Sequence, residues 1–337
     1  MHRLVQSALV VVVLAAASGC QYISSKIAMN HYVDSQVLAD KGNLDAALEE
    51  LAKAIRLDPN LSVAHAAMGD IHRRRGDYES ARKSYEAACE TNPYAFRCHY
   101  NLGVTYQLLA EAVKAADAFQ TYLRKAIGVY LRAAAIRPDD FDTNLNLSAC
   151  YFQLGKYNLA EQYCQAAIQI NPQSAPAYGN LGIINDSQGK LYEAVLAYKN
   201  SLEIDAHQPM ILLNLGSSYV RQGRLKLALS IFELASREAP DDPTPWEQMG
   251  GCHYHLHDLD QSLECYQKAA SIDPRSADAH RGLGVVYMSR FLIEQGKTDL
   301  RDKALEAWNT SLELRPDQKD LISLLQKYTP KSRGPQL

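Results

Sequence analysis

The sequence predicts an all-α fold made of repeated helix pairs, and three observations support this prediction. Prolines that close helical patterns recur at spacings of 34, 45, 34, 68, 34 and 42 residues, where 68 is two periods. Small residues recur at fixed positions between these prolines, and a large residue recurs at another fixed position. A period of this length is typical of a two-helix unit that buries its apolar face only by stacking on its neighbours.

Composition excludes several other classes of protein. Hydrophobic residues make up 47% of the 337 residues and charged residues 22%, which is ordinary for a globular chain and unlike a disordered one. The 35 Lys and Arg nearly balance the 38 Asp and Glu, whereas a nucleic-acid-binding protein usually has a clear basic excess. Seven cysteines are too few for a small scaffold held together by disulfides.

Residues 1–19 have the pattern of a secretory signal peptide. A basic start at Arg3 precedes an uncharged stretch rich in Val, Leu and Ala, and small residues lead up to Cys20. The tetrapeptide Ala-Ser-Gly-Cys that ends at Cys20 resembles the lipobox of bacterial lipoproteins. This resemblance implies that Cys20 becomes the acylated N-terminus of the mature chain. The alternative is an uncleaved signal anchor, although the apolar stretch is short for a span of about 20 residues.

The residue after the cysteine predicts a location. Gln21 stands where an Asp favours retention in the inner membrane, so the sequence resembles that of lipoproteins sorted to the outer membrane. We therefore expect a lipid-anchored protein of a bacterial cell envelope, on the outer membrane and facing the periplasm. Residues 20–27 would be the lipidated tether.

From residue 28 the chain divides into eight units when each proline is counted as position 32. The units span 28–61, 62–95, 96–140, 141–174, 175–208, 209–242, 243–276 and 277–318. Position 8 is always small: Ser35, Gly69, Gly103, Ser148, Gly182, Gly216, Gly250 and Gly284. Position 20 is small as well: Ala47, Ala81, Ala126, Ala160, Ala194, Ala228, Ser262 and Ala304. Position 24 is the large one: Leu51, Tyr85, Tyr130, Cys164, Tyr198, Phe232, Tyr266 and Trp308.

These positions identify the chain as a member of the tetratricopeptide-repeat (TPR) family. The resemblance implies a right-handed superhelical solenoid of about eight helix–turn–helix repeats around a concave groove. It also implies that helix A and helix B of each repeat cross closely at positions 8 and 20, where larger side chains would force them apart. Proline at position 32 cannot continue helix B and therefore ends each repeat.

Two units and the C-terminus depart from the pattern. The third unit has eleven extra residues, and because no proline or glycine interrupts 104–127 we expect one extended, protruding helix there. The eighth unit has eight extra residues, which we expect in a longer loop between its helices. Residues 319–328 place four large apolar side chains on one helical face, so we expect a capping helix and then a flexible tail over 329–337. Those four side chains are Leu321, Leu324, Leu325 and Tyr328.

The candidate binding site is the groove, which the family resemblance assigns to helix A. Position 6 of helix A carries an amide in five consecutive repeats: Asn101, Asn146, Asn180, Asn214 and Gln248. An amide offers both a donor and an acceptor, so such a ladder could pair with the backbone of an extended peptide of any sequence. The alternative is a family default, because Asn is common at this position whatever the ligand.

The cysteines and histidines allow further interpretations. Cys89 ends one helix and Cys98 begins the next, so a disulfide is one possibility and two small buried side chains is the other. On a helix only His253 and His257 of the segment 253–257 share a face, and we expect packing and capping there rather than a metal site. The sequence contains no nucleophile motif, phosphate loop or paired carboxylates, so we expect no enzyme, no cofactor, no metal and no small-molecule substrate.

The sequence thus favours a lipid-anchored, periplasmic protein–protein interaction scaffold. Its groove would bind an extended segment or a helix of a partner in pilus, secretion, polysaccharide-export or peptidoglycan machinery. One alternative is an accessory or regulatory subunit of an envelope enzyme complex that acts through its convex face or the insertion 107–125. A third is a metal- or redox-dependent protein that uses the histidines or cysteines.

Overall fold

A computed structural model describes residues 22–294 and 296–329. The predicted signal peptide, the lipidation site Cys20 and the tail from residue 330 lie outside the described residues. Within them the fold is all-α, as predicted, with seventeen helices joined by short turns. None of the described helices combines the length and apolarity that a membrane crossing requires.

The chain forms two compact bodies that divide after Asn171. The N-terminal body contains α1 (22–40), α2 (Leu44–Leu57), α3 (Ser62–Arg74), α4 (Tyr78–Thr91), α5 (Phe96–Ala112), α6 (Ala116–Ile136), α7 (Phe141–Gln153) and α8 (Tyr157–Ile170). The C-terminal body contains α9 (Ala175–Ser187), α10 (Leu191–Ile204), α11 (Pro209–Arg221), α12 (Leu225–Glu238), α13 (Thr244–His255), α14 (Leu259–Ile272), α15 (Ala277–Ile293), α16 (Thr298–Leu314) and α17 (Lys319–Tyr328). Odd-numbered helices from α1 to α15 are the A helices of the repeats, and even-numbered helices are the B helices.

The A–B turns follow from local chemistry. Gly76 has a φ of +76°, a conformation that glycine adopts without strain, and the carboxylate of Asp77 then accepts a hydrogen bond from the Ser80 amide at 3.1 Å. This bond caps the first turn of α4 and fixes where helix B begins. The turn and the cap together reverse the chain within three residues.

Helices A and B cross closely at positions 8 and 20, as predicted. The Ser148 hydroxyl on α7 donates to the Ala160 carbonyl on α8 at 2.8 Å, and the Ser262 hydroxyl on α14 donates to the Gly250 carbonyl on α13 at 2.8 Å. A side chain on one helix therefore reaches the backbone of the other, which leaves no room for a larger residue.

The core of each body consists of small residues packed around large ones. In the N-terminal body, Leu51 is fully buried among alanines of α1, α2 and α3. In the C-terminal body, Tyr198 and Phe232 are buried with the apolar face of α11, which contributes Leu212 and Leu215. Burial of such side chains against neighbouring repeats supplies the apolar contact that a single helix pair lacks.

Two repeats close with a serine and a glutamine that bond to each other. The Ser201 hydroxyl donates to the Ala175 carbonyl at 2.8 Å, and the Gln208 amide donates to the Ser201 carbonyl at 3.1 Å. In the eighth repeat, Ser311 bonds the Ala277 carbonyl at 2.8 Å and Gln318 bonds Ser311 in the same way. These bonds tie the end of helix B to the start of helix A.

The prediction of one extended helix in the third repeat is wrong. α5 ends at Ala112 and α6 begins at Ala116, with an extended turn between them. Both helices are lengthened instead: α5 has 17 residues against 13 in α3, and α6 has 21 against 14 in α4. The eleven extra residues are therefore divided as about one turn in helix A and about two turns in helix B.

The eighth repeat also differs from the prediction of a longer loop. α15 and α16 have 17 residues each, against 13 in α9 and 14 in α10. Only one of the eight extra residues lengthens the turn, and the other seven extend the two helices. The physical reason is the same in both repeats, because added helical turns keep their backbone hydrogen bonds whereas a longer loop would not.

The ends of the described chain are helical. Residues 22–27, expected as a tether, form the first turns of α1. At the other end, α17 buries Leu321 fully against Trp308 and Met288, with Leu324, Leu325 and Tyr328 packed on the same cluster. The last repeat is thereby covered by the helix whose apolar face the sequence indicated.

Candidate functional site

Three of the five position-6 amides lie in the C-terminal body. Asn180 on α9 and Asn214 on α11 are half-buried, and Gln248 on α13 is exposed. Within the described residues these three side chains make no hydrogen bond to the protein. Their donors and acceptors are therefore free to pair with a ligand.

Asn101 is different, because the protein already uses its amide. Its side chain is 7% exposed and donates to the Asp70 carboxylate at 3.2 Å. The Tyr85 hydroxyl donates to the same carboxylate oxygen at 2.5 Å, and Arg97 lies 3.8 Å from the other oxygen. Burial, followed by the hydrogen bond to Asp70, raises the pKa of Tyr85, so the hydroxyl stays a donor. Asn101 thus belongs to an internal network of the N-terminal body.

Asn146 also has a polar neighbour. Its side chain is half-buried and lies beside the Tyr100 hydroxyl. Burial, and next the charge of Asp142, raise the pKa of Tyr100, so this hydroxyl is neutral at physiological pH. The five predicted amides therefore differ in their surroundings: Asn101 hydrogen bonds Asp70, Asn146 lies beside Tyr100, and Asn180, Asn214 and Gln248 have no such neighbour among the described residues.

An open pocket of about 420 Å³ lies beside Gln248, between α13 and α15. Its polar lining is Glu247, Gln248, His255, Asp278 and Arg281, and its other lining residues are Gly251, Tyr254, Tyr266, Gly282 and Val285. The pocket thus combines an amide, several charged groups and the aromatic rings of Tyr254 and Tyr266. Such a mixture suits a polypeptide segment with polar backbone and partly apolar side chains.

Three charged side chains that line the pocket, Glu247, Asp278 and Arg281, form hydrogen bonds or ion pairs with other residues of the protein. Glu247 accepts a hydrogen bond from the Ser276 hydroxyl, and burial raises the pKa of the Glu247 carboxyl. Asp278 pairs with Arg315 at 2.8 Å, and Arg281 pairs with Asp320 of α17 at 2.5 Å. Gln248 and His255 are consequently the polar lining side chains that are exposed and make no hydrogen bond or ion pair within the described residues, and of the two only Gln248 belongs to the position-6 amides.

Gly282 ends the row of amides, a feature that sequence reasoning missed. A Cβ at Gly282 would approach the Tyr266 ring to 2.2 Å, so this position 6 cannot carry any side chain without moving the ring. The ring of Tyr266 occupies the space that an amide would otherwise fill. A glycine at a position where the neighbouring repeats carry Asn and Gln was the available signal.

The six cysteines of the described chain are unbonded and buried. The sulfurs of Cys89 and Cys98 lie within 4.8 Å of each other. The Cys98 thiol donates to the Ala95 carbonyl at 3.1 Å, and the interaction between the two neighbouring thiols raises the pKa of Cys89 and lowers that of Cys98. The remaining four are ordinary buried thiols: burial raises the pKa of Cys150 to about 12 and the pKa values of Cys164, Cys252 and Cys265 to about 11.

The histidines at 253–257 serve the helix end and the turn. His253 is half-buried, and its Nδ1 lies 3.8 Å from the Asp258 carboxylate. His257 occupies the A–B turn with a φ of +61°, where other repeats place glycine. Among the described residues, no group of three metal-ligating side chains includes either of them.

Three family models of helical repeats match the chain. The one described as the C-terminal domain of cilia and flagella-associated protein 70 matches residues 23–226. Models of the tetratricopeptide repeat match 211–245 and 253–289.

Several curated proteins are similar in sequence. Superkiller complex protein 3 of Homo sapiens is 24% identical over 247 residues, which are 70% of this chain and 15% of that protein. BBSome complex member BBS4 of Mus musculus is 22% identical over 277 residues, which are 65% of this chain and 53% of that protein. The chain therefore spans between 15% and 53% of the length of these two relatives.

Solved structures of low sequence identity have the same fold. A tetratricopeptide repeat protein from Parabacteroides merdae has a TM-score of 0.53 at 19% identity, covering 77% of this chain and 99% of its own. The pilF protein of Pseudomonas aeruginosa has a TM-score of 0.51 at 18% identity, covering 65% and 94%. At this identity the likeness shows the fold alone.

Proposed function

This chain belongs to the tetratricopeptide-repeat family represented by the C-terminal domain of cilia and flagella-associated protein 70, and from this premise we propose that it is a lipid-anchored interaction scaffold of a bacterial cell envelope. Repeat proteins of this kind are scaffolds and adaptors that bind protein or peptide partners. We propose the same role here, without catalysis and without a small-molecule substrate.

One observation carries the proposal: unpartnered amides lie on the A helices of the C-terminal body. Asn180, Asn214 and Gln248 recur at position 6 on successive A helices, and the pocket of about 420 Å³ adjoins the last of them. An amide satisfies one donor and one acceptor of a peptide backbone, so a row of amides binds an extended segment with little dependence on its side chains. A bound helix would satisfy its own backbone and leave these groups unpaired, which favours an extended ligand.

The lipid anchor is proposed from the sequence before the described region. Acylation of Cys20, including an amide-linked chain such as palmitate, would hold the protein on the periplasmic side of the outer membrane. Tethering raises the effective concentration of the scaffold near other membrane proteins. Candidate partners are therefore components of pilus, secretion, polysaccharide-export or peptidoglycan machinery. Two relatives are named as members of multiprotein complexes, which agrees with a role in assembly.

A second candidate function is supported by the third repeat. Its lengthened helices end in an exposed tip at 114–117, at a turn that other repeats reach several residues earlier. An accessory subunit that regulates an envelope enzyme could use this tip, or the surface of the B helices, instead of the amide face, the A-helix surface that carries Asn180, Asn214 and Gln248. The two functions place the partner on different surfaces.

The test is site-specific photocrosslinking in the cells that make the protein. A photoreactive residue at position 248 is compared with one at position 309, an exposed Asn on helix B of the eighth repeat, and with one at position 115. We expect a defined partner protein to crosslink at 248. The double variant Asn180→Ala/Asn214→Ala should lower that yield at least tenfold, whereas Asn309→Ala should leave it unchanged.

The three crosslinking positions separate the two functions. A partner that crosslinks at 115 or 309, with a yield that the double variant does not change, would support the accessory-subunit function and contradict the amide-face proposal. Circular dichroism of each variant confirms that the helices are retained.

A further inference from the structure

Cys89, Cys98 and His99 form a buried cluster in the N-terminal body, whereas the unpartnered amides belong to the C-terminal body. Cys89 lies in the last turns of α4, and Cys98 and His99 lie in the first turn of α5. Their exposed fractions are 9%, 2% and 2%. One ligand atom of each, the two sulfurs and a ring nitrogen, lie within 4.8 Å of one another.

The hydrogen bonds of His99 define its tautomer. Nε2 lies 2.8 Å from the Pro93 carbonyl oxygen, and because a carbonyl only accepts, Nε2 carries the proton. Nδ1 therefore has a lone pair, and it is buried without any hydrogen-bond partner. An unpaired buried acceptor is unfavourable and calls for an explanation in a folded protein.

The same backbone contact occurs elsewhere without the cysteines. His65 and His280 bond the carbonyls of Pro59 and Pro274 through Nε2 at 2.9 and 3.0 Å, and Asn144 bonds that of Pro138 at 3.0 Å. The contact to the proline carbonyl thus recurs at position 4 of three other repeats and requires neither a second ring nitrogen nor a thiol.

The cysteine pair is specific to one junction between repeats. At the junction before it, the positions of Cys89 and Cys98 are occupied by Ile55 and Ala64, and in the C-terminal body one junction has Leu202 and Ile211. At these two junctions the repeat fold packs aliphatic side chains at the same positions. Packing at this junction therefore does not require the two thiols of Cys89 and Cys98 next to the His99 ring.

Two thiolates and a neutral imidazole are preferred ligands of thiophilic metal ions. A tetrahedral Zn²⁺ with Zn–S bonds of about 2.3 Å and a Zn–N bond of about 2.0 Å places its ligand atoms roughly 3.5–3.8 Å apart. The two sulfurs and one ring nitrogen of His99 lie within 4.8 Å of one another, so the ligand atoms need to close by only about 1 Å. The two thiolates would also cancel the charge of the ion, so the buried site would be neutral.

We propose that Cys89, Cys98 and His99 bind one thiophilic divalent cation, with Zn²⁺ as its type. On binding, each thiol releases one proton to the solvent and forms a sulfur–metal bond, and His99 binds as the neutral imidazole. Three protein ligands leave one position of a tetrahedral ion for a ligand from solution. The ion would join the end of α4 to the start of α5 and so fix the junction between the second and third repeats.

The test uses the full-length chain, reduced and treated with a chelator, with Co²⁺ and then Zn²⁺ as probes. We expect one equivalent of Co²⁺ to give the sulfur-to-cobalt absorption of thiolate coordination, and Zn²⁺ to displace it. Zn²⁺ should also protect Cys89 and Cys98 from alkylation by iodoacetamide, as read by mass spectrometry. The reduced chain is required because a disulfide between the two would remove both thiolate ligands.

A matched pair of variants isolates the ligand role from the structural one. His99→Asn keeps a donor for the Pro93 carbonyl, as Asn144 has for Pro138, but lacks the ring nitrogen, so we expect Zn²⁺ affinity to fall at least tenfold with unchanged helicity. His65→Asn makes the same change at Pro59, where there are no cysteines, and should leave affinity unchanged. The proposal is overturned if the reduced wild-type chain gives no thiolate–cobalt absorption, or if His99→Asn binds Zn²⁺ as tightly as the wild type.

Discussion

The ring of Tyr198 lies against the backbone of Gly182 so closely that a Cβ on the glycine would come within 2.3 Å of ring atom Cε1. The same relationship recurs between positions 8 and 24 of other repeats: Gly69 with Tyr85, Gly103 with Tyr130, Gly216 with Phe232, Gly250 with Tyr266 and Gly284 with Trp308. Position 8 is therefore small for two reasons. Helices A and B cross closely there, and the large side chain at position 24 of helix B packs against its backbone.

Replacing Gly182 by alanine should destabilise the protein, by up to about 2 kcal/mol. Overpacking a filled core costs about 1–3 kcal/mol, which outweighs the gain of about 1 kcal/mol in helix propensity. The unfolding free energy from urea denaturation measures the effect. Gly251→Ala is the control, because a Cβ there meets only the Tyr266 hydroxyl at 3.6 Å, and it should be neutral or slightly stabilising. Equal stability of the two variants would contradict the close contact.

His257→Gly should stabilise the protein by about 1 kcal/mol. The φ of +61° at His257 is unfavourable for a residue with a Cβ and free of that strain for glycine. Thermal unfolding of the variant should show a higher midpoint than the wild type. Gly223, with a φ of +72° at the same position of the preceding repeat, provides the reverse control: Gly223→Ala should lower the midpoint. A lower midpoint for His257→Gly would mean that contacts of the His257 imidazole stabilise the protein by more than its left-handed backbone conformation destabilises it.

Stability should fall as the pH rises from about 9 to about 11. Burial raises the pKa of Cys252 and Cys265 to about 11, whereas a thiol in the unfolded chain has a pKa of about 8.5. In this window the unfolded chain has lost the thiol protons and the folded chain has kept them. Raising the pH therefore favours the unfolded state. Urea unfolding of the reduced protein at several pH values measures the slope, and Cys252→Ala should reduce it. A slope of zero or of the opposite sign would contradict these shifts.

Cys20→Ser should release the protein from the membrane fraction. Without the thiol no diacylglycerol can be attached, and globomycin treatment of the wild type should likewise leave an unprocessed precursor. Gln21→Asp is the companion variant, since it keeps the lipidation site and should move the protein from the outer to the inner membrane. Unchanged electrophoretic mobility after globomycin would argue against lipidation at Cys20.

The helix pairs could be predicted because their determinants are local and periodic. The break within the third repeat could not, and Val113 and Ala115 show why. They have φ values of −95° and −79° with extended ψ values, which any residue adopts, so the turn needs neither glycine nor proline. The antiparallel packing of α5 on α6 decides where the chain reverses, and that pairing leaves no mark in the sequence.

The sequence predicts which repeats carry an amide at position 6. It does not predict which of these amides remain free of hydrogen bonds to the protein. Asn101 and Asn180 occupy equivalent positions, but Asp70 of the preceding repeat bonds Asn101, whereas the preceding repeat offers Asn180 only Ala149 at that place. Which polar groups meet depends on the distances between neighbouring helices, and a repeat register does not contain these distances. The metal-ligand cluster was hidden for a related reason, since the backbone contact that fixes the His99 ring becomes visible only once the loop around Pro93 is folded.

The added length of the third repeat has a consequence for how such chains can change. α5 is four residues longer and α6 seven residues longer than their counterparts, which is close to one and two whole helical turns. The residues that follow each extension therefore face the adjoining repeats in nearly the same direction as they would without it. A gene could therefore gain or lose this extension in paired steps without disturbing the packing of either neighbour. The same arithmetic suggests a simple engineering rule: reach can be adjusted in one repeat while recognition in the others is left alone.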